Sequence, residues 1–157
     1  MVRIEDSIVV DAPIETVFNA ERNISLHSST QQHRSEKAIG GVTEGLIENG
    51  QEVEWEANHF GIKQRLRVRI THMKKPRYFR DEMIKGIFKS FVHEHIFTEV
   101  SSGKTEKKDV ILLEAPFGLF GKIAERLFLQ NYMRTFIRKK NKDLKQIIET
   151  SNVWNKS

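Results

Sequence analysis

Glu52-Val53-Glu54-Trp55-Glu56-Ala57 alternates acidic and apolar residues, and Arg65-Leu66-Arg67-Val68-Arg69-Ile70 alternates basic and apolar ones. Period two marks two half-buried strands. Gly61 lies between them. A turn centred on Phe60-Gly61 sets Glu56 opposite Arg65, Glu54 opposite Arg67 and Glu52 opposite Arg69. On the other face Trp55 meets Leu66 and Val53 meets Val68. One register serves both faces, and a slip of one residue breaks both. The charge ladder is structural, each exposed pair being worth roughly a few tenths of a kcal/mol.

Outward from this hairpin the chain reads as a meander. Lys74-Lys75-Pro76-Arg77 makes the next turn, and strands follow at about Tyr78–Ile84, Phe88–Val100 and Lys104–Glu114. Upstream, Val2–Val10 is a first strand, and Pro13 opens a short helix with Ile14, Val17 and Phe18 on one stripe. Asn23–Ser29 reads as a second short helix, and His33–Ile39 as a weak strand in a glycine-punctuated stretch. Pro116 ends the sheet. The rest is one helix over about Leu119–Thr150, with an apolar 3.6-residue stripe that includes Phe120, Ile123, Ala124, Leu127, Phe128, Met133, Phe136, Ile137, Leu144 and Ile148. Segregated helices and hairpin-ordered strands mean an α+β fold: a curved antiparallel sheet of six to seven strands wrapped around the long C-terminal helix, with two short helices after strand 1. Residues 1–157 are expected to form one ligand-binding domain, with its core at about 2–150.

The chain has 157 residues and carries 26 basic against 21 acidic side chains, net +5. The first fifty residues hold only Arg3, Arg22, Arg34 and Lys37 as bases, so the excess lies later, notably in Arg138-Lys139-Lys140-Asn141-Lys142. Such a run suits a solvated helix face, or weak contact with an anionic membrane through Lys139, Lys140 and Lys142. No aromatic residue interleaves it, so no nucleic-acid partner is expected. There is no Cys. Its absence removes disulfides, thiolate metal sites and cysteine nucleophiles. No apolar run approaches a membrane span, and the acidic start lacks the form of a signal peptide. A cytoplasmic location is expected. Serine-elbow, phosphate-loop and dinucleotide fingerprints are missing.

Ala12-Pro13 with Val17-Phe18, Gly50 with Val53 and Trp55, His59-Phe60-Gly61, Pro76, Phe79, Asp81, Gly86, Phe88, His93, His95, Phe97, Thr105, Asp109, Pro116 and Gly118 together carry a resemblance. The pattern resembles the START-like, or SRPBCC, superfamily, and within it a bacterial polyketide cyclase/dehydrase-like subgroup of unassigned activity. It runs from Val2 to about Ile148. Where the subgroup has an aromatic residue shortly before Pro116, this chain has Leu113-Glu114-Ala115. The resemblance implies a helix-grip fold with a hydrophobic cavity between sheet and helix for a lipid, polyketide or isoprenoid-like molecule. It implies no single reaction.

Strand parity selects the residues that would furnish such a cavity. Phe91, His93, His95 and Phe97 share one face of their strand, and Phe79, Asp81 and Met83 share one face of theirs. A turn near Gly86-Ile87 sets Asp81 opposite His93 and Phe79 opposite His95. Trp55, Leu66, Val68, Met83, Phe91 and Phe97 would form the apolar wall, with Asp81, His93, His95 and His59 at the polar end. A carboxylate beside an imidazole fixes its tautomer and raises its basicity. Asp81 and His93 are therefore the candidate catalytic pair for a cyclase, dehydratase or hydrolase, the alternative to plain binding. A lipid-transfer or interaction role at a membrane surface is a second alternative. Phe120, Phe128, Tyr132 and Phe136 on the helix would line the cavity or fill it. His27, His33 and His72 read as exposed or strand-end residues, His72 having the parity to reach the rim. His59, His93 and His95 lack a familiar metal spacing, so neither metal nor cofactor is expected.

Overall fold

The computed structural model describes residues 1–30, 36–59 and 61–151. The elements run β1 (Val2–Val10), α1 (Ile14–Glu21), α2 (Ile24–Thr30), β2 (Lys37–Gly41), β3 (Glu52–His59), β4 (Ile62–Lys74), β5 (Tyr78–Lys85), β6 (Ser90–Ser101) and β7 (Lys104–Glu114). A continuous helix follows: α3 (Gly118–Ala124), a π-helical stretch (Glu125–Leu129) and α4 (Gln130–Ser151). The strands form one seven-stranded sheet in the order β1-β7-β6-β5-β4-β3-β2, and each neighbouring pair is antiparallel.

The β3–β4 register is the one the charge ladder dictates. Glu52 faces Arg69, Glu54 faces Arg67 and Glu56 faces Arg65, with Trp55 on Leu66 and Val53 on Val68 on the other side. Arg67 Nε reaches diagonally to Glu52 at 2.7 Å, and Arg65 Nε meets Glu56 at 3.1 Å. The β5–β6 register likewise sets Asp81 opposite His93 and Phe79 opposite His95. The second strand lies at Lys37–Gly41, later than the expected His33–Ile39, and His33 falls outside the described residues. At the far end of that strand the φ of Gly41 is +67°, and a Cβ there would stand 2.2 Å from the Glu52 carbonyl oxygen, so the edge pairing closes only on glycine.

Bulges bend the sheet. Register shifts fall between Ala38 and Gly40, Arg67 and Val68, Ile70 and His72, and Glu99 and Ser101. The shift after Ile70 turns the parity of β4: His72 is exposed rather than at a rim, and Met73 packs inward in its place.

The helix also departs from its simple stripe. Met133, Ile137, Asn141, Leu144 and Ile148 of α4 are buried. Upstream, the inward positions are Gly121 and Glu125. The expected inward Phe120 and Phe128 are 80% and 66% exposed, and Ile123, Ala124 and Leu127 face solvent too. A π-helical turn absorbs an extra residue and shifts the phase of the helix. Glu125 then turns back to the sheet end, its carboxylate accepting from the Ala115 N–H at 2.7 Å and the Met1 amino group at 3.2 Å.

Two apolar clusters pack between sheet and helices. One joins Val17 and Phe18 of α1 to Phe79, Phe97, Leu144 and Ile148. The other joins Val2 and Ile4 to Phe91, Leu113, Met133 and Ile137.

Candidate functional site

A cavity of about 200 Å³ opens between the sheet and α4. Of the residues that parity selected, Trp55, His59, Leu66, Val68 and Phe91 line it, as do Asp81, His93 and His95. Met83 and Phe97 do not. Met83 packs beside Gly86, and Phe97, 2% exposed, meets Phe18 edge-on and stacks with Phe79 in the solid core. From the helix, Tyr132 and Phe136 line the cavity and Phe120 and Phe128 do not. Tyr132 Oη is hydrogen-bonded to His59 Nδ1, which ties the hairpin end to α4. His27 lines the cavity as well, buried and hydrogen-bonded through Nε2 to the Glu21 carbonyl. His27 follows the buried Ile24 by three residues, the helical spacing that sets both on the inner side of α2, although a helix of seven residues gave that spacing little weight.

The polar end is larger than the Asp81–His93 pair. His95 Nε2 bonds Asp81 Oδ2 at 2.8 Å, and His93 Nε2 bonds Asp109 Oδ1 at 2.8 Å. The expected Asp81–His93 hydrogen bond is therefore replaced by a diagonal exchange of partners. The backbone register matches, but in a twisted sheet the diagonal neighbour is within reach of long side chains. His95 Nδ1 lies 3.1 Å from Glu21 Oε1 and 3.2 Å from Asp109 Oδ1. Lys107 Nζ donates to Asp109 Oδ2 at 2.5 Å and to Asn141 Oδ1 at 2.7 Å, and sits 3.3 Å from Glu21 Oε2. Asn141 Nδ2 donates to Asp109 and to Asp6, each at 2.9 Å. Helix α1, strands β5, β6 and β7, and helix α4 thus meet in one buried band between the two apolar clusters. Glu21, Lys107, Asp109 and Asn141 were not among the expected site residues.

Charge and burial set the proton positions. Burial opposes charge on Asp109, but Lys107 and the two imidazoles hold its carboxyl well below the usual range. Burial likewise opposes charge on Glu21, which Lys107 keeps ionised. Burial disfavours a charged His95, yet hydrogen bonds to Asp109, Asp81 and Glu21 outweigh it and push the imidazole up to about 10. Burial and the neighbouring His95 push His93 down. His93 and His95 pack with ring centroids 3.8 Å apart, so one charged and one neutral ring is the arrangement with least repulsion. Ionised Asp109 only accepts, so the proton of neutral His93 rests on Nε2, and Nδ1 keeps its lone pair. Burial and Lys140 hold His27 down to about 4.

Ligand atoms of Asp81, His93 and His95, and of Glu21, His95 and Asp109, lie within 4.8 Å of one another. Lys107 and the protonated His95 set buried positive charge against the carboxylates of Glu21, Asp81 and Asp109 in the same cluster. The basic run on α4 is divided: Lys139 pairs with Asp143 at 3.3 Å, Lys140 lines the cavity, and Lys142 is exposed.

This architecture has solved counterparts. A protein from Thermus thermophilus superposes with a TM-score of 0.77 at 16% identity, covering 95% of this chain and 98% of that one. A START superfamily protein from Mycobacterium smegmatis superposes with a TM-score of 0.73 at 10% identity, covering 94% and 97%. The chain has the START-like, helix-grip fold. The same START-like fold extends to a major latex-like protein from Panax ginseng, with a TM-score of 0.61, 12% identity and 92% and 95% coverage. At these identities the likeness is one of fold. No family model and no curated protein matches the sequence. Among the described residues, no helix is long and apolar enough to cross a membrane.

Proposed function

We propose that this START-like domain binds one small, mostly apolar molecule with an oxygen function, held between the sheet and α4, in a cytoplasmic setting. The observation that supports this most is the polarity gradient of the cavity. Trp55, Leu66, Val68 and Phe91 give it an apolar wall, and Asp81 and His93 stand at its buried end. Asp81 is ionised and His93 keeps a lone pair, so both accept hydrogen bonds and a hydroxyl donor fits them. The volume of about 200 Å³ is below the roughly 300–1,000 Å³ usual for drug-sized ligands. A compact ligand is favoured over a long lipid. Native mass spectrometry of protein purified from its host is expected to show one added small-molecule mass. His93→Phe is expected to lower its occupancy about tenfold, the worth of one buried hydrogen bond. Protein that is repeatedly free of added mass, or an unchanged ligand profile in His93→Phe, overturns the reading.

A second reading is acid/base catalysis on that ligand, favoured by the 2.8 Å contact that orients His93 on Asp109. It replaces Asp81 with Asp109 as the orienting carboxylate, the geometry in which an imidazole acts as general base. In D2O, the bound ligand is then expected to exchange a carbon-bound hydrogen. His93→Gln is expected to slow that exchange by about 10²–10⁴-fold. Equal exchange in both proteins rules catalysis out and leaves binding untouched.

A further inference from the structure

The start of the long helix exposes a run of large apolar side chains. Phe117 is 83% exposed, Leu119 73%, Phe120 80%, Ile123 48%, Leu127 59% and Phe128 66%. A contiguous apolar surface of this kind on a soluble domain marks a binding face. The backbone holds it in place. Gly121 packs so closely that a Cβ would stand 2.0 Å from the Pro116 carbonyl oxygen, and Glu125 is fixed by Ala115 and the Met1 amino group. With Gly121 and Glu125 turned inward, the aromatic residues have no inward position left. Phe117 even takes a left-handed φ of 72°, a conformation costly for a non-glycine residue.

The charge of this face is one-sided. Lys122 and Arg126 are exposed among the apolar residues, and Glu125, the one acid between 117 and 129, is 6% exposed. The β5–β6 turn also exposes an apolar residue beside a base, Ile87 at 48% with Lys85 two positions before it. The Lys89 N–H donates to the Glu114 carbonyl at 2.8 Å, which ties the end of that turn to the end of β7 just ahead of Phe117. A second copy of the same face would bring Lys85, Lys122 and Arg126 against themselves. An anionic lipid surface matches both features: acyl chains take the apolar side chains, and headgroups take the cations.

We propose that this face, Phe117–Phe128 with the β5–β6 turn, seats on an anionic lipid bilayer. It is distinct from the basic run at 138–142. Ile87 and Leu129 belong to the cavity lining as well, so the seated face adjoins the cavity. The proposal stands on the surface and does not need the cavity to be filled.

The test is flotation of the full chain with vesicles of equimolar phosphatidylcholine and phosphatidylserine, alongside phosphatidylcholine alone. Binding to the mixed vesicles, weakened by salt and weaker on phosphatidylcholine, is the expected result. The triple variant Leu119→Ser, Phe120→Ser, Phe128→Ser is expected to lose about tenfold or more of that binding. Lys122→Glu with Arg126→Glu is expected to abolish the phosphatidylserine preference. These side chains stand in solvent, so unchanged thermal melts are expected to accompany both losses. No binding by the wild-type chain overturns the proposal, as does equal binding to both vesicle types or binding that neither variant alters. Self-association that the serine variant abolishes, without vesicle binding, also overturns it in favour of a second copy.

Discussion

Replacing Lys107 with Met is expected to cost about 3–5 kcal/mol of folding stability, the scale for removing one partner from a buried ion pair. Lys107 is 1% exposed and lies within 2.5 Å of Asp109, 2.7 Å of Asn141 and 3.3 Å of Glu21. Without it, the carboxylates of Glu21, Asp81 and Asp109 face His95 as their remaining buried cation. Buried charge of one sign is expelled or protonated. The variant is therefore expected to lose most of its deficit relative to wild type on acidification, as the carboxyls take up protons. Guanidinium denaturation at neutral and acid pH reads both effects. Adding Asp109→Asn is expected to restore part of the loss, because it removes the charge that Lys107 compensated. A deficit below about 1 kcal/mol, the range of a surface pair, would sink this account of the cluster.

Stability is expected to peak near neutrality and fall on both sides, with His95 setting the alkaline limb. Its imidazole moves from 6.5 up to about 10 on folding. A raised value stabilises fully below pH 6.5 and loses that contribution as pH climbs through 10. The alkaline loss amounts to roughly 3–5 kcal/mol over that window. On the acid side Glu21, Asp81 and Asp109 are held below their ordinary values. Their contribution is complete above the ordinary carboxylate range and fades as pH falls below it. His27, held down to about 4 against an ordinary 6.5, adds a loss that begins below pH 6.5. Urea denaturation from acid to alkaline pH measures the profile. His95→Gln is expected to flatten the alkaline slope and to weaken the acid slope as well, because His95 helps hold Asp81, Asp109 and Glu21 below their ordinary values. An alkaline slope equal to wild type in that variant would show that another group carries it.

Both expectations rest on groups that differ in how far the sequence betrayed them. His95 was legible, because an imidazole alternating with Phe91 and Phe97 shares their inward face. Lys107 and Asp109 share parity with Ile111 and Leu113, so the same alternation places them inside. Two features hid them. Val110, Ile111, Leu112 and Leu113 make β7 apolar on both faces, which blurs its inner side. A Lys and an Asp two apart also read as a solvated edge, since burying either alone is costly. Only the simultaneous presence of Glu21 from α1 and Asn141 from α4 removes that cost.

The hairpin succession of β3 to β7, the registers of the β3–β4 and β5–β6 hairpins and the presence of a long covering helix were written in the residue order, whereas the closing pair of β1 on β7 joins Val2 to Leu113 across almost the whole chain. These depend on period and on short-range pairing, which local residues encode. Which side chain each imidazole holds, where the helix changes phase and which aromatics face water were fixed only once the chain had folded. Diagonal reach across a twisted sheet, a π turn locked by Glu125 on Met1 and Ala115, and a charge shared among five elements join residues distant in the chain. No window along the chain contains them.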